Sequence, residues 1–161
     1  MENINLSAVM TSEELIAFSL RSLYSNAGYS MFRMSKFEEY DFYAKNKDFL
    51  LSNNVITFTD TDGRLMALKP DVTLSIIKSS DVADGQTAKV YYNENVYRVS
   101  RRTKSFKEIM QAGLECIGNI GDADIAEVIS LAARSLDVIS ENYVLELSDL
   151  DVVSGVLDVY S

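Results

Sequence analysis

Apolar residues that recur at helical spacing predict two long helices, one near each end of the chain. The first begins after Thr11, where Glu14 can complete a capping box, and it ends before Gly28. The second covers residues 122–141, with Asp122 as the predicted N-cap. Both helices carry one apolar face, which indicates that they pack on a common core.

Between these helices, short segments of alternating apolar residues predict strands. Thr61-Asp62-Gly63 separates two of them and is typical of a hairpin turn. The predicted strands cover residues 29–34, 56–60, 64–68, 89–93, 96–100, 109–117 and 143–147. A short helix over 72–79 is expected behind Pro70, and 37–51 is expected to be helical or irregular. The expected fold class is α+β, an antiparallel sheet flanked by helices, in one domain over residues 1–161.

Composition excludes several classes of protein. The 161 residues are 47% hydrophobic and 24% charged, and they contain no apolar run long enough for a membrane span. Because the N-terminus does not show a basic segment followed by an apolar one, we expect no secretory leader. The single cysteine, Cys116, excludes a disulfide framework and favours a cytoplasmic location. The absence of histidine excludes serine-histidine-aspartate catalysis and histidine-ligated zinc. We expect no metal and no cofactor.

Charge is distributed unevenly along the chain. The net charge is −9, and the segment after residue 118 holds nine acidic side chains against Arg134 alone. Such a surface repels a nucleic-acid backbone, so we expect neither nucleic acid nor, without an apolar span, a membrane as partner. One short segment is basic instead, with Arg98, Arg101, Arg102, Lys104 and Lys107. This local positive charge indicates a small phosphate or carboxylate ligand, although a solvated loop is the simpler interpretation.

A group of polar residues on the last central strands is the candidate binding site. Alternate residues of a strand share a face, so Gln111, Gly113 and Glu115 line up, with Arg98 on the neighbouring strand. Glu115 suits an ammonium group and Arg98 suits a carboxylate, with a glycine gap between them for a small zwitterion. The alternative is a solvated sheet face with charges paired across the strands.

The order of several segments resembles the class II cores of the histidyl-tRNA synthetase family. The segments are Gly28-Tyr29 with residues 38–43 (the first class II motif, which builds that family's dimer interface), Lys69-Pro70-Asp71-Val72-Thr73 (its arginine-proline-glutamate-glycine-threonine box), Val96-Tyr97-Arg98 (motif 2) and Gln111-x-Gly113-x-Glu115. The resemblance covers about residues 12–148 and implies a partial class II synthetase-like core.

Departures from that pattern distinguish two branches of the family. Ser100 stands where a working synthetase has the motif 2 glutamate that helps to hold ATP, and Ser35 stands where motif 1 has its proline. The third class II motif is not found in the 161 residues. The proline-aspartate-x-threonine form of the box resembles the paralogue that lost aminoacylation, which is the regulatory subunit of ATP phosphoribosyltransferase.

This resemblance implies a function and a set of site residues. The family's histidine-contacting positions fall on Asp71, Thr73, Arg98, Gln111 and Glu115. The implied function is non-catalytic regulation in histidine biosynthesis, with histidine as ligand and the short catalytic subunit of ATP phosphoribosyltransferase as partner. Two alternatives stay open, a fragment of a histidine–tRNA ligase and a stand-alone amino-acid-binding module.

The last segment carries an apolar stripe from Leu147 to Tyr160 without a helix stop signal. An exposed stripe of this kind is expected to be covered. We therefore expect further chain, a homodimer partner or a different subunit to pack against it.

Overall fold

The computed structural model describes residues 8–46, 55–80, 82–100 and 102–150. The helices described there are α1 (Ser12–Asn26), α2 (Tyr40–Lys45), α3 (Thr73–Ser79) and α4 (Asp122–Ile139). The strands are β1 (Ser30–Met31), β2 (Phe37–Glu39), β3 (Thr57–Thr59), β4 (Leu65–Leu68), β5 (Thr87–Val99) and β6 (Phe106–Gly118). No helix in this part of the chain is both long and apolar enough to cross a membrane.

The described strands form two sheets, each of three strands. The larger sheet has the order β1-β5-β6, and the smaller has the order β2-β4-β3. All pairs are antiparallel except β1 with β5, where Ser30 lies opposite Val90 in parallel register. The α+β class is confirmed, whereas the expectation of one antiparallel sheet is wrong in these two details.

The long β5-β6 hairpin separates two hydrophobic clusters. On one face, Tyr91 packs in a buried cluster with Leu20 and Leu131, which lie on α1 and α4. On the other face, Val96 packs in a second cluster with Ile76 of α3. A fully buried aliphatic side chain contributes about 1.5–3 kcal/mol relative to an exposed one. Both faces of the hairpin are therefore held by packing, and the face toward α3 carries the candidate site.

The predicted starts of α1 and α4 are confirmed, and the predicted N-cap of α4 is wrong by one residue. The Thr11 hydroxyl accepts the Glu14 N–H at 3.2 Å, and the Glu14 carboxylate accepts the Thr11 N–H at 2.8 Å. In α4 the N-cap is Gly121 rather than Asp122. Asp124 replaces the capping side chain by accepting the Gly121 N–H at 3.1 Å. A carboxylate three residues after the cap can satisfy that donor from within the helix.

The predicted break between two strands at residues 94–95 is wrong, since β5 runs through it. Glu94 lies opposite Gln111, and Asn95 lies opposite Met110. Their polar side chains are satisfied within the structure, because Lys69 binds the Glu94 carboxylate and the Asn95 amide donates to Glu108. The β5-β6 ladder is therefore continuous through Glu94 and Asn95, although these residue types are typical of turns.

Predictions for the remaining segments had mixed outcomes. The hairpin around Gly63 and the short helix behind Pro70 are confirmed as β3-β4 and α3. Within the segment 37–51, the helical expectation is confirmed by α2, whereas the first three residues form β2 instead. Residues 47–51 lie outside the described residues.

The predicted strand over 143–147 is wrong, because the segment joins neither sheet and Val144 is 82% exposed. A strand needs a neighbour that satisfies its backbone groups, and this segment has no ladder partner among the described residues. Of the apolar tail stripe, Leu147 and Leu150 are exposed, and 151–161 lies outside the described residues.

Candidate functional site

The segment 69–73 leads into α3 and includes its first residue. It crosses the β5-β6 hairpin and forms one wall of the site. Its backbone is bound to β5, because the Lys69 carbonyl accepts the Tyr97 N–H at 2.8 Å and the Pro70 carbonyl accepts Arg98 Nε at 2.9 Å. The facing surface of the hairpin, called the pocket face here, carries Glu94, Arg98, Gln111 and Glu115. Strand alternation puts these four side chains on one side.

Four of the five sequence-predicted residues are paired between this segment and the pocket face, and the fifth, Gln111, lies on that face. The Thr73 hydroxyl donates to Glu115 Oε1 at 2.6 Å. Arg98 Nη2 lies 3.7 Å from Asp71 Oδ2, and Asp71 also accepts the Leu74 N–H at 3.3 Å. All five side chains are partly buried. These side chains are therefore only partly exposed, and the two contacts run to the segment 69–73 rather than across the strands.

Two buried polar atoms on the pocket face have no hydrogen-bond partner among the described residues. They are the donor Nη2 of Arg98 and the acceptor Oε1 of Gln111. A buried polar atom without a partner costs about 1–3 kcal/mol. The site therefore favours a ligand that offers an acceptor to Arg98 and a donor to Gln111.

The predicted gap above Gly113 is filled by Tyr92. A Cβ atom built on Gly113 would lie 2.6 Å from the Tyr92 hydroxyl oxygen, so glycine is the residue that leaves room for the ring. Tyr92 lies directly opposite Gly113 in the ladder, which is the signal that could have found it. Burial, with Glu115 nearby, raises the pKa of Tyr92 to about 12, so the phenol remains a hydrogen-bond donor at neutral pH.

Lys69 is a second residue that sequence reasoning did not place in the site. Its side chain is 1% exposed, and its ammonium forms an ion pair with Glu94, whose side chain is 20% exposed. The signal was present, since lysine replaces the arginine of the family's box. A lysine this buried is rare unless it is paired.

Of the basic segment, Arg98 is the residue that the structure places in the site. Arg102, Lys104 and Lys107 are exposed in and beside the β5-β6 turn, and Arg101 lies outside the described residues. Lys104 has a φ of 55°, in the left-handed region that closes the turn. The turn residues therefore present their charge to solvent.

The pKa of the Glu115 carboxyl group depends on three features of its surroundings. Burial raises the pKa of Glu115 above its ordinary value, the hydrogen bond from Thr73 offsets part of that rise, and the charge of Asp71 adds to it. A carboxylate in this state is stabilised when an ammonium group approaches.

Glu115→Gln is therefore expected to make the ligand-free chain more stable at pH 7. The native state holds the Glu115 proton more tightly than the unfolded state, so the wild type loses stability as pH rises above the ordinary value of 4.5. Glutamine keeps an oxygen for Thr73 without the charge. Urea unfolding at pH 7 and pH 4 measures the difference, which should shrink at the lower pH. Glu141→Gln, on an exposed side chain, is the control, and a variant less stable than the wild type at pH 7 contradicts the prediction.

A cavity lies along the outer edge of β6 and has Glu115 of the pocket face among its lining residues. Its volume is about 680 Å³, and apolar side chains of α4 and of the tail segment line it, including Ile125, Ile129 and Leu147. The cavity is where the exposed apolar stripe begins.

Comparison with known proteins gives consistent matches. A family model described as histidyl-tRNA synthetase matches residues 5–161. The histidine–tRNA ligase of Methanococcus vannielii is 26% identical over 156 residues, which are 94% of this chain and 37% of that protein. The ATP phosphoribosyltransferase regulatory subunit of a Thermoanaerobacter species is 30% identical over 142 residues, which are 86% and 37% of the two chains.

A solved structure agrees with these matches. An ATP phosphoribosyltransferase regulatory subunit/histidyl-tRNA synthetase from Bacillus halodurans C has a TM-score of 0.67 at 26% identity, over 81% of this chain and 35% of that one. This chain spans little more than a third of the length of these relatives. Since the family model covers nearly the whole sequence, the chain belongs to the histidyl-tRNA synthetase family.

Proposed function

We propose that this chain is a non-catalytic regulatory module that binds histidine and acts with a short catalytic subunit of ATP phosphoribosyltransferase in histidine biosynthesis. One observation carries the proposal. The pocket face presents Arg98 Nη2, which has Asp71 at ion-pair distance but no hydrogen-bond acceptor among the described residues. It also presents the Gln111 amide oxygen, which has no hydrogen-bond donor in the same part of the chain, and the carboxylate of Glu115. These groups match the carboxylate and the ammonium of an amino-acid zwitterion.

The end of β5 favours regulation over aminoacylation. Ser100 accepts the Thr103 N–H on its hydroxyl at 3.2 Å, and its own N–H donates to the Ser105 carbonyl at 2.9 Å. Ser100 therefore stabilises the turn, and it offers no carboxylate where the family's synthetases have the glutamate that helps to hold ATP. The Thermoanaerobacter relative, which is named as a regulatory subunit, supports the same branch.

The second candidate function is that of a histidine–tRNA ligase core. It is favoured by the name of the Methanococcus relative, which matches almost the whole of this chain. The two functions differ in chemistry, because a ligase activates histidine with ATP and a regulatory module does not. A stand-alone amino-acid-binding module would bind histidine without a protein partner.

Histidine-dependent ATP–pyrophosphate exchange is expected to stay at the background set by the Arg98→Ala variant. Loss of transition-state contacts to ATP costs several kcal/mol, which removes detectable turnover. An active histidine–tRNA ligase, assayed in parallel, is the positive control. Exchange above background would support the ligase and refute the proposal.

Complex formation is the second half of the experiment. Sedimentation of the chain with a short ATP phosphoribosyltransferase subunit is expected to show a hetero-complex whose activity falls as histidine is added. Histidine binding without a complex would identify the stand-alone module. If the complex responds to histidine equally with the wild type and with Arg98→Ala, histidine binds at another site.

A further inference from the structure

A buried ion pair lies beside the five predicted pocket residues and was not among them. Lys69 is almost fully buried, and the described residue that receives its ammonium is Glu94. Removing two charges from water is costly, and hydrophobic side chains of the same size would often pack with equal stability. An ion pair at this position therefore indicates a role other than stability.

The position of the pair links both walls of the pocket. Lys69 begins the segment that carries Asp71 and Thr73, and its N–H donates to the Lys36 carbonyl at 3.1 Å. Glu94 lies directly opposite Gln111 in the β5-β6 ladder. The ion pair therefore links the segment 69–73 to the pocket face at the level of the Gln111 amide oxygen, which has no hydrogen-bond donor among the described residues.

The charge of Glu94 is significant for the ligand as well. Along the pocket face, Glu94 stands on the same strand as Arg98 and two alternations before it. An unpaired carboxylate there would attract the ligand ammonium and repel the ligand carboxylate, so it would favour a ligand that carries the ammonium alone. Lys69 cancels that charge.

We propose that Lys69 and Glu94 are positioning residues of the amino-acid pocket, and that their neutral pair sets its preference for a ligand that carries a carboxylate. This inference rests on the proposed function, since it assigns a role in the same pocket. The ligand class that it predicts is an α-amino acid in its zwitterionic form, in preference to the decarboxylated amine.

The test compares histidine with histamine, which keeps the ring and the ammonium and lacks the carboxylate. Calorimetric titrations at pH 8, with the catalytic subunit present, measure both affinities. In Lys69→Met, we expect the ratio of histidine affinity to histamine affinity to fall about tenfold. In Glu94→Gln, the ratio of histidine affinity to histamine affinity should rise, because the positive charge of Lys69 is then unpaired.

The double variant Lys69→Met/Glu94→Gln separates electrostatics from structure. It removes both charges, so the ratio of histidine to histamine affinity should return toward the wild-type ratio. Lys78→Met, on the exposed side of α3, is the matched control and should leave the ratio unchanged. Circular dichroism confirms folding, and if Lys69→Met does not fold, Glu94→Gln and the double variant carry the comparison.

The outcomes are distinct. A wild type that binds neither ligand refutes the proposed function, and this inference with it. A wild type that binds histidine, with an affinity ratio that stays the same in the single variants, overturns the inference and leaves the proposed function standing.

Discussion

Histidine is expected to bind Glu115→Gln about ten- to a hundredfold more weakly than it binds the wild type. The variant loses a charge-assisted bond to the ligand ammonium, which is worth about 1.5–3 kcal/mol. It keeps an oxygen for the Thr73 hydroxyl, which in the wild type donates to Glu115 at 2.6 Å. Since this variant is also expected to be more stable without ligand, lost affinity cannot be attributed to unfolding. Calorimetric titration, with and without the catalytic subunit, measures the effect.

Arg98 and a ligand without a carboxylate provide the control for that measurement. Arg98→Ala should weaken the binding of histidine and leave the binding of histidinol unchanged, because histidinol offers no carboxylate to the guanidinium. Thr73→Val removes one neutral hydrogen bond, so its effect is expected to be near 1 kcal/mol. Equal binding of histidine to wild type, Arg98→Ala and Glu115→Gln would show that the ligand does not occupy the pocket face.

Gly118→Ala is expected to destabilise the chain by about 3 kcal/mol or more, from backbone strain and a steric collision together. Gly118 ends β6 with a φ of 112°, in the region that favours glycine. An added Cβ would collide with the backbone carbonyl oxygen of Gln86, which accepts the Asn119 N–H at 2.9 Å. The end of the β5-β6 ladder must open to relieve this contact. Urea unfolding followed by circular dichroism gives the free energy change.

Two other glycines separate the contributions to that effect. Gly85 has a φ of 79° with open space around its Cβ position, so Gly85→Ala should show the backbone cost alone, near 1 kcal/mol. Gly121 has a negative φ and open space, and Gly121→Ala should cost less still. A loss of stability in Gly118→Ala no greater than in Gly85→Ala would contradict the proposed collision.

The sequence by itself determined the elements whose signals are local. The capping box at Thr11, the turn at Gly63 and the helix behind Pro70 each depend on residues a few positions apart, and all three are confirmed. The alternation of β6 likewise placed Gln111 and Glu115 on one face, because the period of a strand does not depend on its neighbours.

Only the tertiary structure decided how the strands are joined. Residues 94–95 carry side chains typical of turns, yet β5 continues because Lys69, 25 positions away, satisfies Glu94. The parallel pairing of β1 and the division into two sheets depend on contacts between distant segments, which local propensity does not specify. For the same reason, the segment 143–147 has no ladder partner in the part of the chain that the structure describes.

The candidate site shows most clearly which features the sequence predicts and which features only the tertiary structure decides. Residue types and spacing indicated Arg98, Gln111 and Glu115, together with Asp71 and Thr73. The crossing of the segment 69–73 over the hairpin, the Tyr92 ring above Gly113 and the buried Lys69–Glu94 pair were decided by packing. These features depend on which side chains share the space between elements, and that is determined when the whole core assembles.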